Sequence, residues 1–331
     1  MSLRKSAVVS LLSLAVCCLC FSGAAMAKTV VKLAYENNPG EPFDVVAHKW
    51  ADLVKERSNG EVELELYPSS QLGSKKDVLE MAMMGVNVIT ITDAGFLADY
   101  VPDFGILVGP YLAKDAKDIF KLFKTDWFKG LDEQLQQKGL HIVTPNWMFG
   151  VRHLLTTKPV EKPEDLHGLK IRVPNNRMQI ATLKAMGATP TPMPLSEVYP
   201  GLTQGVIDGA ENTLPVIYGQ KFFEPARYLD LVGYMTMTAQ WVGGQAFFDT
   251  LPPETVQLLH ETGDEAGDIS KQLLAADGKE DMAIIEKMKN EGVTVVEVDT
   301  TPFREATKSV YDEFPEWTPG LYDKVQKLLE Q

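Results

Sequence analysis

Residues 168–213 constrain the fold most, because short apolar strands there alternate with helices that carry their own stop signals. Leu169, Ile171 and Val173 alternate with Lys170 and Arg172, the period-2 pattern of a strand with one buried face, and Pro174 ends it. Asn175 or Asn176 then supplies an N-cap for a helix carrying Ile180, Leu183 and Met186, which Gly187 terminates. The chain opens in the same way. A β-prone stretch at 29–35 precedes Phe43, Val46, Ala47, Trp50, Leu53 and Val54 at helical spacing, and Asn59-Gly60 stops that helix. Val62, Leu64 and Leu66 alternate with glutamates, and a helix through about Met84 and a strand over 86–92 follow. Such a β-α-β-α-β run implies a parallel sheet with right-handed crossovers, and in open α/β sheets the strand-to-helix corners are where ligands bind.

A length of 331 residues favours two domains of ordinary size. Helical patterns cover roughly 114–137. A strand over 140–144 leads through 146–150 into a second strand, 151–156, carrying Arg152. Two extended segments with no helix between them suggest a crossing between domains, and 228–248, rich in Thr, Val, Gly and aromatics, reads as the return crossing. Residues 253–290 are helical with weak points at Gly263, Gly267 and Gly278. A late strand at 293–298 and further helices finish the chain.

The beginning differs from the rest. Arg4 and Lys5 precede an uncharged apolar run from Ala7 to Phe21, then Ala25-Met26-Ala27, which is the pattern of a secretory signal peptide over 1–27. The run is shorter than the roughly 20 residues of a membrane span. Cys17, Cys18 and Cys20 all lie in this leader, so a mature chain has no thiol for catalysis, disulfides or metal; the residues around them do not favour a lipid anchor. The formal charge is −13, and losing Arg4 and Lys5 makes it more negative still, which argues against nucleic acid and anionic lipid as partners.

Catalytic and cofactor arrangements are scarce. Five histidines show no metal-ligand spacing, and there is no nucleophile elbow, P-loop or dinucleotide fingerprint, so no metal or cofactor is expected. Arg152, Arg172 and Arg177 supply guanidinium forks suited to a carboxylate or phosphate, or equally to internal salt bridges. Asn212 offers an amide to a ligand oxygen or to a turn; Glu36 at the end of the first strand is an acceptor for hydroxyls or a solvated loop residue. Trp147 is either the apolar wall of a pocket or core.

Several segments together resemble one family. YPSSQLG at 67–73, LKIRVPN at 169–175, GATPTPMP at 187–194, SEVY at 196–199 and VIDGAEN at 206–212 are similar to the periplasmic solute-binding subunits of tripartite ATP-independent periplasmic (TRAP) transporters, the DctP-type receptors. The resemblance spans essentially the whole mature chain. It implies an α/β, two-lobed periplasmic-binding-protein fold of type II-like form, each lobe a mixed sheet flanked by helices, with a hinge and a cleft between them. Lobe I then takes 28–150 plus about 238–276; lobe II takes 151–237 plus about 277–331 with the C-terminal helices. It also implies that Arg172 forms the main salt bridge to a ligand carboxylate, that Arg152 and Asn212 support it, and that Asn175 is a recurrent site asparagine.

Glu36 stands where the sialic-acid receptors carry asparagine, and Gly95 where they carry arginine. Both departures argue against sialic acid, and the glutamate resembles the diketogulonate-type and related sugar-acid receptors, which implies a hydroxylated or sugar acid. Thr92, Asp93 and Trp147 are then side-chain discriminators, and Arg177 keeps a dianion or a phosphate ester open, beside aromatic or keto acids. The implied role is a periplasmic receptor, monomer or homodimer, delivering an organic acid to the small and large integral membrane permease subunits. A secreted enzyme acting on an organic acid, a ligand sensor for a membrane receptor and the receptor of an ATP-driven system are the alternatives.

Overall fold

The computed structural model of the chain describes residues 28–274 and 278–330. The expected signal peptide and the three cysteines lie outside the described residues. β1 (Thr29–Ala34), α1 (Pro42–Arg57), β2 (Val62–Tyr67), α2 (Lys75–Met83) and β3 (Val88–Thr92) appear in the order that periodicity predicts. β1 lies between β2 and β3, parallel to both. α1 buries Phe43, Val46, Ala47, Trp50 and Val54, the stripe seen in the sequence. Ser74 and Asp77 close a reciprocal capping box at the start of α2.

After α3 (Ala94–Leu97) and α4 (Asp126–Gln137) comes β4 (Leu140–Thr156), which is one strand where the sequence suggested two. Its pairing shifts register between Thr144 and Trp147, between Met148 and Gly150, and between Arg152 and Leu154. Those bulges bend the strand without ending it, and Gly150, at φ +124°, occupies a backbone conformation that other residues resist. The segment that reads as a break is the bend of a continuous strand.

The second half repeats the first. β5 (Lys170–Val173), α5 (Arg177–Ala185), β6 (Thr189–Pro192), β7 (Gly209–Thr213) and α6 (Leu214–Gly219) place β5 between β6 and β7, parallel to both. β8 (Tyr228–Gly244) then runs antiparallel to β4 from Leu140 opposite Gly244 to Thr156 opposite Tyr228. β3 adds to β8 at one end of this pair, and β7 adds to β4 at the other. The hydrogen-bonded order is therefore β2-β1-β3-β8-β4-β7-β5-β6. Two parallel trios hang from the opposite ends of one antiparallel pair, and each trio with its helices is a lobe.

Helices α7 (Pro253–Leu274) and α8 (Lys279–Asn290) divide between the lobes. Trp50 Nε1 donates to Thr262 Oγ1 at 3.0 Å and Trp147 Nε1 to the Gly263 carbonyl at 2.9 Å, holding α7 on the first lobe. Ile284, Ile285 and Met288 of α8 join the second lobe's cluster with Ile217 and Phe222. The expected boundary near 277 falls on residues outside those described. β9 (Thr294–Val296) pairs with the start of β8. The C-terminal segment, expected to belong to lobe II, also reaches back to residues 103–112. Thr318 N donates to Asp103 Oδ1 at 2.8 Å, and Gln326 of α9 (Leu321–Leu329) donates to the Leu112 carbonyl at 2.9 Å.

Gly244 shows how tightly the first lobe packs. Its backbone is ordinary, at φ −78° and ψ 132°, yet a Cβ there would sit 1.8 Å from the Ala82 carbonyl oxygen of α2. We expect Gly244→Ala to cost about 2 kcal/mol through overpacking. Denaturant titration checks this, by a lower midpoint at unchanged slope.

Candidate functional site

A cavity of about 330 Å3 lies between the lobes. Glu36 and Asp93 reach it just beyond β1 and β3, and Pro174, Asn175 and Pro194 just beyond β5 and β6, with Asn212 near the end of β7. Both lobes thus present the carboxyl ends of their parallel strands to one space, where open sheets leave room for a ligand. Phe149 and Arg152 of β4 and Met237 of β8 add the walls from the shared pair.

Arg152 is already neutralised. Its Nε and Nη2 engage both carboxylate oxygens of Glu211, with Nη2 to Oε1 at 2.6 Å, and Nη2 also donates to the Glu211 carbonyl at 2.9 Å. Glu211 has no exposure, and Gln179 (3.1 Å) and Tyr234 (2.5 Å) donate to its remaining lone pairs. Burial opposes the Arg152 charge, and Glu211 more than compensates, holding the guanidinium firmly protonated. Burial likewise pushes the Tyr234 phenol far up, with Glu211 adding to it.

Arg172 differs. It is 4 % exposed, its Nε (3.0 Å) and Nη2 (2.8 Å) donate only to the Met193 carbonyl, and among the described residues no carboxylate lies within ion-pair distance of it. Burial pulls its guanidinium down to about 10, against the attraction of Glu211 and Glu36 and with the repulsion of Arg152. It remains charged at neutral pH and lacks an anion. Beside it in the cavity wall, Asn212 spends its Oδ1 on the Thr213 amide at 2.9 Å, which leaves its Nδ2 hydrogens for an oxygen in the cavity.

On the first lobe the Lys75 ammonium, at the start of α2, sits 2.9 Å from Asp93 Oδ2 and 3.4 Å from Glu36 Oε2. Desolvation works against its charge, but the attraction of Asp93 and Glu36 wins and raises its pKa. Asp93 also caps α3, accepting from Gly95 N at 3.0 Å.

The lobes touch on either side of the cavity. A Cβ on Gly95 would meet the Asn176 side chain at 2.7 Å, so a larger residue does not fit there in this arrangement. On the other side Asn38 Nδ2 donates to the Gly219 carbonyl at 3.2 Å, and Gln220 Nε2 donates to Glu41 Oε1 at 3.4 Å. A Cβ on Gly219 would come within 2.5 Å of Glu41. Burial pushes the Glu41 carboxyl up to about 7, with hydrogen bonds from Asn37 and Asn38 pulling it partly back.

Of the residues singled out in the sequence, Arg172, Arg152, Asn212, Glu36, Asn175 and Asp93 line this cavity. Three do not. Trp147 is wholly buried among Phe43, Trp50 and Trp241, so it is core rather than a pocket wall. Thr92 is buried within β3 opposite Gln240 and is absent from the wall. Arg177 is exposed, pairs with Glu316 and lines a separate groove with Asp99 and Trp317. Sequence reasoning missed Lys75, Phe149, Met193 and Met237 in the wall and the role of Glu211 behind it. Glu211 lay inside a motif already noted, adjacent to Asn212. Lys75 carried no comparable signal.

Known proteins share this architecture. A profile of the family described as "Bacterial extracellular solute-binding protein, family 7" (DctP) matches residues 33–316. The chain is 33 % identical over 313 residues to the 2,3-diketo-L-gulonate-binding periplasmic protein of Escherichia coli (strain K12), covering 94 % of each. It superimposes with a TM-score of 0.89 on a TRAP periplasmic solute binding protein from Ochrobacterium anthropi with bound L-fuconate, at 56 % identity, covering 92 % of this chain and 100 % of that one. A second, from Actinobacillus succinogenes 130z with bound L-galactonate, gives 0.89 at 45 % identity with the same coverage.

Two outcomes follow from the buried carboxylates. Glu211→Leu leaves Arg152 buried without its anion and should lower stability by about 3–5 kcal/mol in denaturant titration. Glu41 has a raised folded pKa, so the unfolded chain ionises first. Stability therefore falls as pH rises from 4.5 to about 7, and the whole penalty stands above that. Glu41→Gln should gain stability relative to the parent across that window and not below it, as melting temperatures at stepped pH will read.

Proposed function

The chain belongs to the DctP family of bacterial extracellular solute-binding proteins, and we propose that it captures a sugar acid of the aldonate kind through Arg172. The observation that carries the proposal is the buried Arg172 guanidinium, without a carboxylate partner, next to the uncommitted Asn212 amide. A planar fork with donors to spare takes one carboxylate bidentately, and a desolvated site strengthens that bond. Arg152 contributes field and shape, because its own fork is occupied by Glu211. Glu36 and Lys75 offer an acceptor and a donor to hydroxyls across the cavity. The bound L-fuconate and L-galactonate of the two solved structures, both hydroxylated monocarboxylates, support the same ligand class.

Capture works by the meeting of two lobes. A ligand that touches both favours their closed arrangement by its differential affinity for it. The names of the relatives support a periplasmic receptor that hands its ligand to a TRAP permease, and binding rather than turnover as its task. Among the described residues no helix is long and apolar enough to cross a membrane. The wall of the cavity carries neither histidine nor cysteine to act as base or nucleophile.

Arg172→Ala should weaken galactonate binding at least ~100-fold, since the variant strands a ligand carboxylate in a desolvated site. Circular dichroism should stay native. Calorimetry showing near-parental affinity would remove Arg172 from the role given to it.

A further inference from the structure

The cavity holds its charges unevenly, and that unevenness bears on which acids it admits. Four cations line it, Arg152, Arg172, Lys75 and Lys76, and four carboxylates line it or stand directly behind its wall, Glu36, Asp77, Asp93 and Glu211. Arg152 and Glu211 cancel as a bidentate pair. Lys75 is shared by Asp93 at 2.9 Å and Glu36 at 3.4 Å, so the first-lobe face carries one ammonium against two carboxylates. Arg172 on the opposite lobe is the one fork among these groups with no carboxylate. Arg177, the residue that kept a second negative charge open in the sequence, lies outside the cavity on Glu316. Lys76 stands at the rim, exposed beside the exposed Asp77, where water screens both.

We propose that the Glu36–Lys75–Asp93 cluster is a charge filter that restricts this receptor to sugar acids with a single negative charge, excluding diacids and phosphate esters of the same carbon skeleton. This rests on the ligand being a sugar acid held at Arg172. With its carboxylate on that fork, the rest of the ligand extends toward a face whose excess charge is negative. A terminal hydroxyl there donates to Glu36, whose Oε1 has no hydrogen-bond partner among the described residues, and accepts from the third hydrogen of the Lys75 ammonium. A terminal carboxylate has no proton to donate and meets two carboxylates in a partly desolvated space. Like charges so placed are strongly rejected. Glu36 and Lys75 are then the specificity residues, while Asp93, wholly buried and also capping α3, fixes the ammonium in place.

The test compares galactonate with galactarate, which differ only in replacing the terminal CH2OH by a carboxylate, and gluconate with its phosphate ester 6-phosphogluconate, for which the same order is expected. By calorimetry on the mature protein, galactarate should bind roughly 100-fold more weakly than galactonate, from like-charge repulsion. Glu36→Gln keeps the shape and removes one negative charge, and should narrow that ratio at least tenfold even if it weakens galactonate itself. Arg177→Gln, outside the cavity, should leave the ratio unchanged. A parental protein that binds galactarate within threefold of galactonate, or a Glu36→Gln ratio equal to the parental one, overturns the filter and leaves the sugar-acid assignment standing. Binding of non-hydroxylated monoacids such as hexanoate in preference to every sugar acid overturns that assignment, and the filter with it as a sugar-acid device. Silence toward all these acids overturns both.

Discussion

Everything in this fold hangs on the antiparallel pairing of β4 with β8. These two strands of 17 residues each are the members of the sheet that run through both lobes, and each parallel trio is attached to one end of them. A ladder that runs the length of both strands, interrupted by bulges, joins the lobes through one sheet, where two separate sheets would leave edges to cover. The price is a strand that must bend, and β4 does so through successive bulges around Gly150. Arg152 and Phe149 lie on that bend and Met237 opposite it, so the hinge region and the floor of the ligand cavity are the same residues.

The electrostatics follow a division of labour between two buried arginines. Arg152 is satisfied within the protein by Glu211, and the pair is locked by Gln179 and Tyr234, so its geometry is set before any ligand arrives. Arg172 donates only to the Met193 carbonyl, and the attraction of Glu211 and Glu36 offsets the desolvation cost of its charge only in part. In the proposed role, a carboxylate entering the cavity gains most at Arg172, beside an Arg152 whose geometry is already fixed. Across the cavity, Lys75 is held charged by the two carboxylates it bridges.

Glycines set how closely the lobes approach. Gly95 against Asn176 and Gly219 against Glu41 are contacts in which a Cβ would collide, one on each side of the cavity. Glu41 is buried at the second of them, with Gln220 reaching it from the other lobe, so the chain holds an ionisable group where the lobes meet. Close backbone approach and the burial of that group belong to the same arrangement of lobes.

The order of strands and helices, a cap at Asn175 or Asn176 and the stop at Gly187 were legible in the sequence because they depend on spacing within a few residues. The family motifs carried Arg152, Arg172 and Asn212 to the same cavity for a similar reason, since each sits at a fixed place on its own strand. Trp147 stayed open between pocket wall and core in the sequence, and its packing against Phe43, Trp50 and Trp241 from other segments decides for core. Arg177 was misplaced because, at the first position of α5, its side chain turns to Glu316 of the distant C-terminal segment and away from the cavity that Asn175 still lines. Local periodicity thus determined the α/β alternation, and the family motifs marked the arginine proposed to read an anion. Which arginine is left without a partner, that Lys75 faces it from α2, and that two apparent strands are one bent strand were decided by the tertiary structure, because each depends on what distant segments bring to within a hydrogen bond's reach.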